Sequence, residues 1–131
     1  MITAVDTNVL LDVFLSDHFH LPAALRALKA AESMGTLVIC EVVYAELAGA
    51  FPTRAALTQA LSVRGVEVMP STEEVLWSAA TIWRAARPKG RHRILPDFLI
   101  GAHAQVLADR LLTRDRGFYR QCFTQLTVIA P

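Results

Sequence analysis

The 131-residue chain is predicted to adopt an α/β fold, a three-layer sandwich in which a five-stranded parallel sheet carries helices on both faces. Three observations predict it. Short β-rich runs alternate with longer stretches of helical periodicity. The runs ITAV and TLVIC are apolar at consecutive positions, as strands buried on both faces require. Cap and stop residues separate the runs at the places where a chain must turn.

The elements follow in order. Ile2–Val5 is a strand ending at Asp6, and Asp6-Thr7-Asn8 is a run of good helix caps before a short helix over Val9–Leu15. Ser16–Leu21 is polar and His-containing, and reads as a loop. Pro22 suits a first helical turn, and the helix over Ala23–Met34 stops at Gly35. Thr36–Cys40 is a buried strand. Val42–Ala50 is a helix closed by Pro52, and Thr53 caps the next one, which runs to Val63 and stops at Gly65. Val66–Met69 is the third strand. Ser71 and Thr72 with Glu74 suggest a capping box opening a long helix to Ala86. Arg87–Arg93 (RPKGRHR) is a basic loop, the one stretch expected to be mobile. Pro96–Asp109 is a helix, Leu111–Thr113 a strand, Asp115–Gln121 a short helix and Leu126–Ile129 the last strand.

This length suits one domain over residues 1–131 with a real core. A hydrophobic fraction of 53% and mean hydropathy of +0.37 exclude disorder and suggest apolar surface left for self-association. No apolar run is long enough to span a bilayer and no leader-like segment opens the chain, so a soluble, cytoplasmic protein is expected. Cys40 and Cys122 lack metal-ligand spacing, and Cys40 reads as a core thiol. The net charge is only +1, but it is divided. Residues 1–76 hold four Lys/Arg against nine Asp/Glu, a net −5, while residues 77–131 hold nine against three, a net +6. A polyanion would therefore lie along the C-terminal half.

Four acids lie where apolar segments end or would otherwise be buried: Asp6, Glu46, Asp97 and Asp115. An unpaired buried carboxylate costs several kcal/mol, so such groups face a cleft, meet a cation or do chemistry. Asp6 and Asp115 follow strands, at the edge where parallel sheets place their sites. Glu46 is the sole charge between Val42 and Thr53, in a helix apolar enough to be buried, and is expected to point inward. Asp97 precedes eleven residues without a charge, and helix capping is its simpler explanation. Four acids without a positioned His or Cys suit Mg²⁺ or Mn²⁺ better than Zn²⁺. Such a cluster can orient a phosphodiester, activate water and stabilise a leaving oxygen.

These segments converge on a family. AVDTNVLLDVF, VVYAEL, PDFLIGAHA and LLTRDRGFY, in that order and each carrying one of the acids, resemble the PIN-domain ribonucleases. The likeness is greatest to the VapC-type toxins of prokaryotic toxin–antitoxin pairs. It implies a PIN-like sandwich, usually homodimeric, and Mg²⁺- or Mn²⁺-dependent endonucleolytic cleavage of RNA. By position it implies Asp6 and Asp97 as direct metal ligands. Asp115 and Glu46 would complete the site directly or through metal-bound water, with an activated water leaving a 5′-phosphate and a 3′-hydroxyl. Thr7, Asn8 and Thr113 would cap helices and steady the acids. A small antitoxin protein would bind and lay a chain segment across the acidic pocket. The chain departs from many relatives at Gly117, where they carry a further acid, so the resemblance does not commit it to two metals.

Arg87, Lys89, Arg91 and Arg93 precede Asp97, and Arg114 and Arg116 flank Asp115, so these six are the candidate contacts to an RNA backbone. Trp77, Trp83, Phe118 and Tyr119 could stack bases, but aromatics at helical spacing usually belong to a core. His103, in an apolar helix, reads as a core histidine, and His18 and His20 as loop residues. No serine sits in an elbow-like context and there is no phosphate-cradling Gly-rich loop. The alternatives are a non-catalytic PIN-like module that binds RNA or a partner, and a receiver-like phosphoacceptor domain. The latter needs an Asp ending a central strand and a late Lys; here Met69–Pro70 ends the third strand and no Lys follows the last.

Overall fold

A computed structural model describes residues 1–89 and 93–131. Five strands form one parallel sheet: β1 (Ile2–Val5), β2 (Thr36–Ile39), β3 (Val66–Val68), β4 (Arg110–Leu112) and β5 (Val128–Ile129). Their spatial order is β3-β2-β1-β4-β5. β1 is central, with Ala4 opposite both Val38 of β2 and Leu111 of β4. Seven α-helices connect the strands: α1 (Thr7–Phe14), α2 (Leu21–Ser33), α3 (Glu41–Ala48), α4 (Arg54–Val63), α5 (Glu73–Ala86), α6 (Leu95–Leu107) and α7 (Arg116–Cys122). Consecutive residues Thr3, Ala4 and Val5, and likewise Leu37, Val38 and Ile39, are buried, so both faces of the sheet are covered. In the edge strand β3 only Val66 is buried.

The strand order reverses between β1 and β4, and the two strands arrive from opposite ends of the chain. Hydrogen bonds continue the ladder past the strand ends: the Asp6 amide donates to Leu112 O at 2.9 Å and the Thr113 amide to Ile129 O at 3.0 Å. Asp6 and Thr113 are thus anchored by sheet pairing at the carboxyl edge, beside the crevice that such a switch point opens. Beneath them Phe98, Phe118, Tyr119 and Phe123 form an aromatic cluster with ring centroids 4.9–6.3 Å apart.

Local chemistry explains the element ends. Thr53 caps α4 by accepting from the Ala56 amide, and Gly65 follows α4 at φ +64°, a left-handed conformation that costs glycine least. Thr72 caps α5, accepting from the Val75 amide at 3.3 Å. The expected capping box does not form, because Val75 rather than Glu74 stands three residues after the cap; Ser71 instead bonds Glu41 of α3 through both its amide and its hydroxyl. Asp109 does not end α6 as expected. Its carboxylate accepts from the Ile2 amide at 2.6 Å and its own amide donates to Ile2 O, fastening the start of β1 to β4. β5 is shorter than predicted, since Leu126 lies in the preceding turn.

Part of the basic loop is a 3₁₀ turn over Arg87–Lys89. The middle of the loop expected to be mobile, residues 90–92 with Arg91, lies outside the described residues. Among the described residues no helix is long and apolar enough to cross a membrane.

Candidate active site

Asp6 is only 6% exposed and sits at the head of α1. Its Oδ1 accepts from the Thr7 amide at 2.7 Å, which caps the helix, and its Oδ2 accepts from the Thr113 hydroxyl at 2.7 Å and from Asn8 Nδ2 at 3.4 Å. One oxygen thus serves the helix and the other is held by Thr113 and Asn8. Burial is the largest influence on its carboxyl and pushes the pKa up; the Thr113 and Thr7 hydrogen bonds oppose this, and the charges of Glu46 and Asp97 add to it.

Thr113 is fully buried and joins two of the acids. Its hydroxyl donates to Asp6 and accepts from the Asp115 amide at 3.0 Å and from Asn8 Nδ2 at 3.5 Å. Asn8 in turn accepts from the Arg114 amide at 3.2 Å. Thr7, Asn8 and Thr113 thus hold the ends of β1 and β4 in one hydrogen-bonded frame. Thr7 also reaches the third acid, donating its hydroxyl to Glu46 Oε1 at 2.7 Å.

Glu46 departs from expectation. It faces solvent at the rim, because α3 buries only Val43 and Leu47 while Ala45, Ala48 and Gly49 remain exposed with it. Small residues make a helix apolar in composition without forcing every face inward.

Asp97 lies in the first turn of α6, where the helix dipole favours a carboxylate, as the simpler reading expects; it makes no side-chain cap bond. Burial is again the largest influence and raises its pKa. Arg93 pulls it down, while Glu46 and Asp115 push it up. Arg93 spans two acids: its Nη2 meets Asp115 Oδ2 at 2.7 Å and its Nη1 approaches Asp97 Oδ2 at 3.7 Å. Its guanidinium also lies 4.6 Å from the centroid of the Phe118 ring.

Asp6, Glu46, Asp97 and Asp115, from four separate segments, are linked through their charges: Glu46 and Asp97 act on Asp6, and Glu46 and Asp115 act on Asp97. Tyr119, in the core as its helical spacing suggests, lies within reach of the same charges. The residue is 1% exposed; burial raises its hydroxyl pKa most, and the charges of Asp6, Asp97 and Asp115 raise it further. That phenol is the neutral floor beneath the acids. Only its place on α7, just after the fourth acid, could have suggested this.

Of the basic candidates, Arg93 is in the site. Arg114 turns to Asp12, with Nε 2.8 Å from Oδ2 and Nη2 3.2 Å from Oδ1, and Asp12 is buried by the pair. Arg116 is exposed, and Arg87 stacks 4.9 Å from the Trp83 ring. The structure describes the backbone of Lys89 but not its side chain, and Arg91 falls outside the described residues. Trp83 is half-buried and Phe118 is in the core, whereas Trp77, expected there, is 72% exposed. His103 is buried and its Nε2 meets Met69 O at 2.7 Å, a core histidine tying α6 to the end of β3.

Among the described residues no three His, Cys, Asp or Glu side chains converge tightly enough, as they stand, to hold a metal ion. The donor chemistry nevertheless fits a hard divalent cation. All four donors are carboxylates, and Mg²⁺ needs only one or two of them directly while keeping its waters. The Arg93 guanidinium between Asp97 and Asp115 marks a position where positive charge is already favoured.

A model of the PIN domain family matches residues 3–124. The chain belongs to the PIN domain family. Among solved structures it is similar to a chain of VapBC2 from Rickettsia felis bound to a DNA fragment from their promoter (TM-score 0.79, 19% identity, 99% of this chain and 98% of that one). It is also similar to a chain of VapBC-1 from nontypeable Haemophilus influenzae (0.76, 22%, 99% and 98%) and to one of a toxin-antitoxin complex from Klebsiella pneumoniae (0.73, 20%, 97% and 95%). At these identities the likeness is one of fold. A sequence search of curated proteins finds no significant match.

Proposed function

We propose that this chain is a Mg²⁺- or Mn²⁺-dependent endoribonuclease, the VapC-type toxin of a type II toxin–antitoxin pair, acting as a single domain over residues 1–131. What supports the reading is the mutual charge influence among Asp6, Glu46, Asp97 and Asp115, with Asp6 placed at the β1/β4 switch point. Burial raises the pKa of Asp6 and of Asp97 most, and the charges of neighbouring carboxylates add to it, so a bound cation would relieve both.

Asp6, Asp97 and Asp115 would hold the ion, which when bound polarises a phosphoryl oxygen and makes a water more acidic. The remaining work falls to the chain. Thr7, Asn8 and Thr113 fix the orientation of Asp6 and of the Asp115 backbone, so that the acids need not reorganise during reaction. Glu46, exposed at the rim and held by one hydrogen bond to Thr7, is placed to take a proton from a water in the crevice. Arg93 and Arg116 would contact the RNA backbone beside the acids, and Arg87, Lys89, Arg91 and Arg114 remain candidates from the sequence for the same role. A cognate antitoxin, a homodimeric state and a cytoplasmic setting complete the reading; the similarity to chains of VapBC and toxin-antitoxin structures supports the first.

The test is cleavage of a mixed RNA pool with Mg²⁺ or Mn²⁺, wild type against Asp97→Asn, with an EDTA blank. Cutting by the wild type that disappears in the variant and in EDTA is expected. A folded protein that neither cuts RNA nor binds Mn²⁺ would replace the enzyme with a non-catalytic binding module.

A further inference from the structure

A separate cleft is bordered by the two arginines that flank Asp115 in sequence. It has a volume of about 340 Å³ and is lined by His20, Ala23, Arg114, Arg116, Ala130 and Pro131. Arg114 and Arg116 bracket Asp115 in sequence, so one three-residue run borders both this cleft and the acidic crevice. Beside it stands Phe19, 86% exposed, with its ring edge-on to His20 at a centroid distance of 5.2 Å.

We propose that this cleft is a nucleotide subsite that takes an unpaired base of single-stranded RNA on Phe19 and its phosphate on Arg116 and Arg114, beside the acid cluster. The inference rests on the ribonuclease reading and names where its substrate runs.

An aromatic side chain that exposed gains nothing from the core, yet the turn that carries it is not loose. The Asp17 carboxylate accepts from the Phe19 amide at 3.0 Å and the His20 amide at 2.8 Å. The Asp17 amide donates to Asp12 O at 2.9 Å, the Leu21 amide donates to Asp17 O at 3.0 Å, and Ser16 adopts φ +52° to make the bend. Phe19 is therefore presented to solvent on a stiff support, so stacking a base on it costs little ordering entropy.

The charges complete the argument. Asp12 fixes the Arg114 side chain from behind with two contacts. Arg116 makes no ion pair or hydrogen bond among the described residues, so its guanidinium is available to a phosphate. Asp17, three residues before His20, turns one oxygen to backbone amides. A volume of this size is at the lower end of small-ligand sites and suits one nucleotide unit rather than a duplex. Stacking with phosphate contact but no base-edge reader predicts sequence-tolerant binding.

The experiment measures binding of a fluorescent, short, mixed-sequence single-stranded RNA by anisotropy in EDTA, where nothing is cut. The proteins are the wild type, Phe19→Ala, Phe19→Trp and Arg116→Gln, each checked for folding by circular dichroism. Phe19→Ala should weaken binding roughly ten-fold, Phe19→Trp should retain it, and Arg116→Gln should lower the slope of log affinity on log salt by about one. If the wild type cleaves and binds RNA but Phe19→Ala binds equally well, the subsite is overturned and the nuclease stands. If Phe19→Ala spares RNA and instead loses a co-purifying protein, the cleft is a protein-docking site and the inference is overturned. If the wild type neither cleaves nor binds RNA, the ribonuclease reading falls and the subsite falls with it.

Discussion

Thr113 donates its hydroxyl to Asp6 Oδ2 at 2.7 Å, a hydrogen bond between residues 107 positions apart in the chain. The Thr113 hydroxyl oxygen in turn accepts from the Asp115 amide. Replacing Thr113 with valine keeps the shape, removes both roles and leaves a buried carboxylate short of a donor. The expected loss is about 1–3 kcal/mol of stability at neutral pH, read from urea denaturation. Thr113→Ser should recover most of it. A valine variant as stable as the wild type would mean that the hydroxyl is dispensable to the frame.

Arg93 occupies Asp97 and Asp115, the same carboxylates proposed for the metal. Metal and guanidinium should therefore compete. The pair is more than a third exposed on each side, which limits its net worth to about 0–1 kcal/mol. Arg93→Gln should bind Mn²⁺ up to about five-fold more tightly in calorimetry without RNA, and bind RNA more weakly. Unchanged Mn²⁺ affinity would sink the competition.

Burial holds the His103 pKa below the usual imidazole value of 6.5, while the bond to Met69 O and the charge of Glu41 oppose this less strongly. Above the unfolded value the imidazole is neutral in both states and its contribution is intact. As the pH falls below about 6.5 the unfolded chain takes up a proton that the folded one resists, so stability drops until the folded value is passed. Comparing wild type with His103→Gln by denaturation across pH 7 to 5 should show a shallower acid slope in the variant. Parallel curves would reject the assignment.

Gly101 carries no side chain because Phe123 fills the space. A Cβ there would fall 2.4 Å from the ring, in an aromatic cluster with little room to shift. Alanine in a helix normally gains about 1 kcal/mol over glycine. Gly101→Ala should nevertheless destabilise, since overpacking costs about 1–3 kcal/mol, and should lower the Tm. A stabilised variant would show that the ring can move aside.

Much of this architecture was legible in the chain because its signals are local. Consecutive apolar residues revealed strands covered on both faces, and Thr53, Gly65 and Thr72 marked helix ends by their own chemistry. Asp6 and Asp115 were visible because a strand ends beside each. Glu46 was found for a reason that failed: its helix is apolar through alanine and glycine, which do not require burial, and the acid stands at the rim. The Asp12–Arg114 pair, the Arg93 bridge and the phenol of Tyr119 beneath the acids were not legible. Each depends on contacts between elements whose relative placement no local pattern records.

The Asp6 amide pairs with Leu112 O only when both ends of the chain have reached the centre of the sheet. A ribosome releases Asp6 more than a hundred residues before Asp115. Until residues 110–115 emerge, β1 lacks its inner neighbour and Asp6 lacks the Thr113 donor, so a partly made chain carries a dismantled crevice. Topology thus acts as a timer, deferring whatever this site does until the β4 segment has been made.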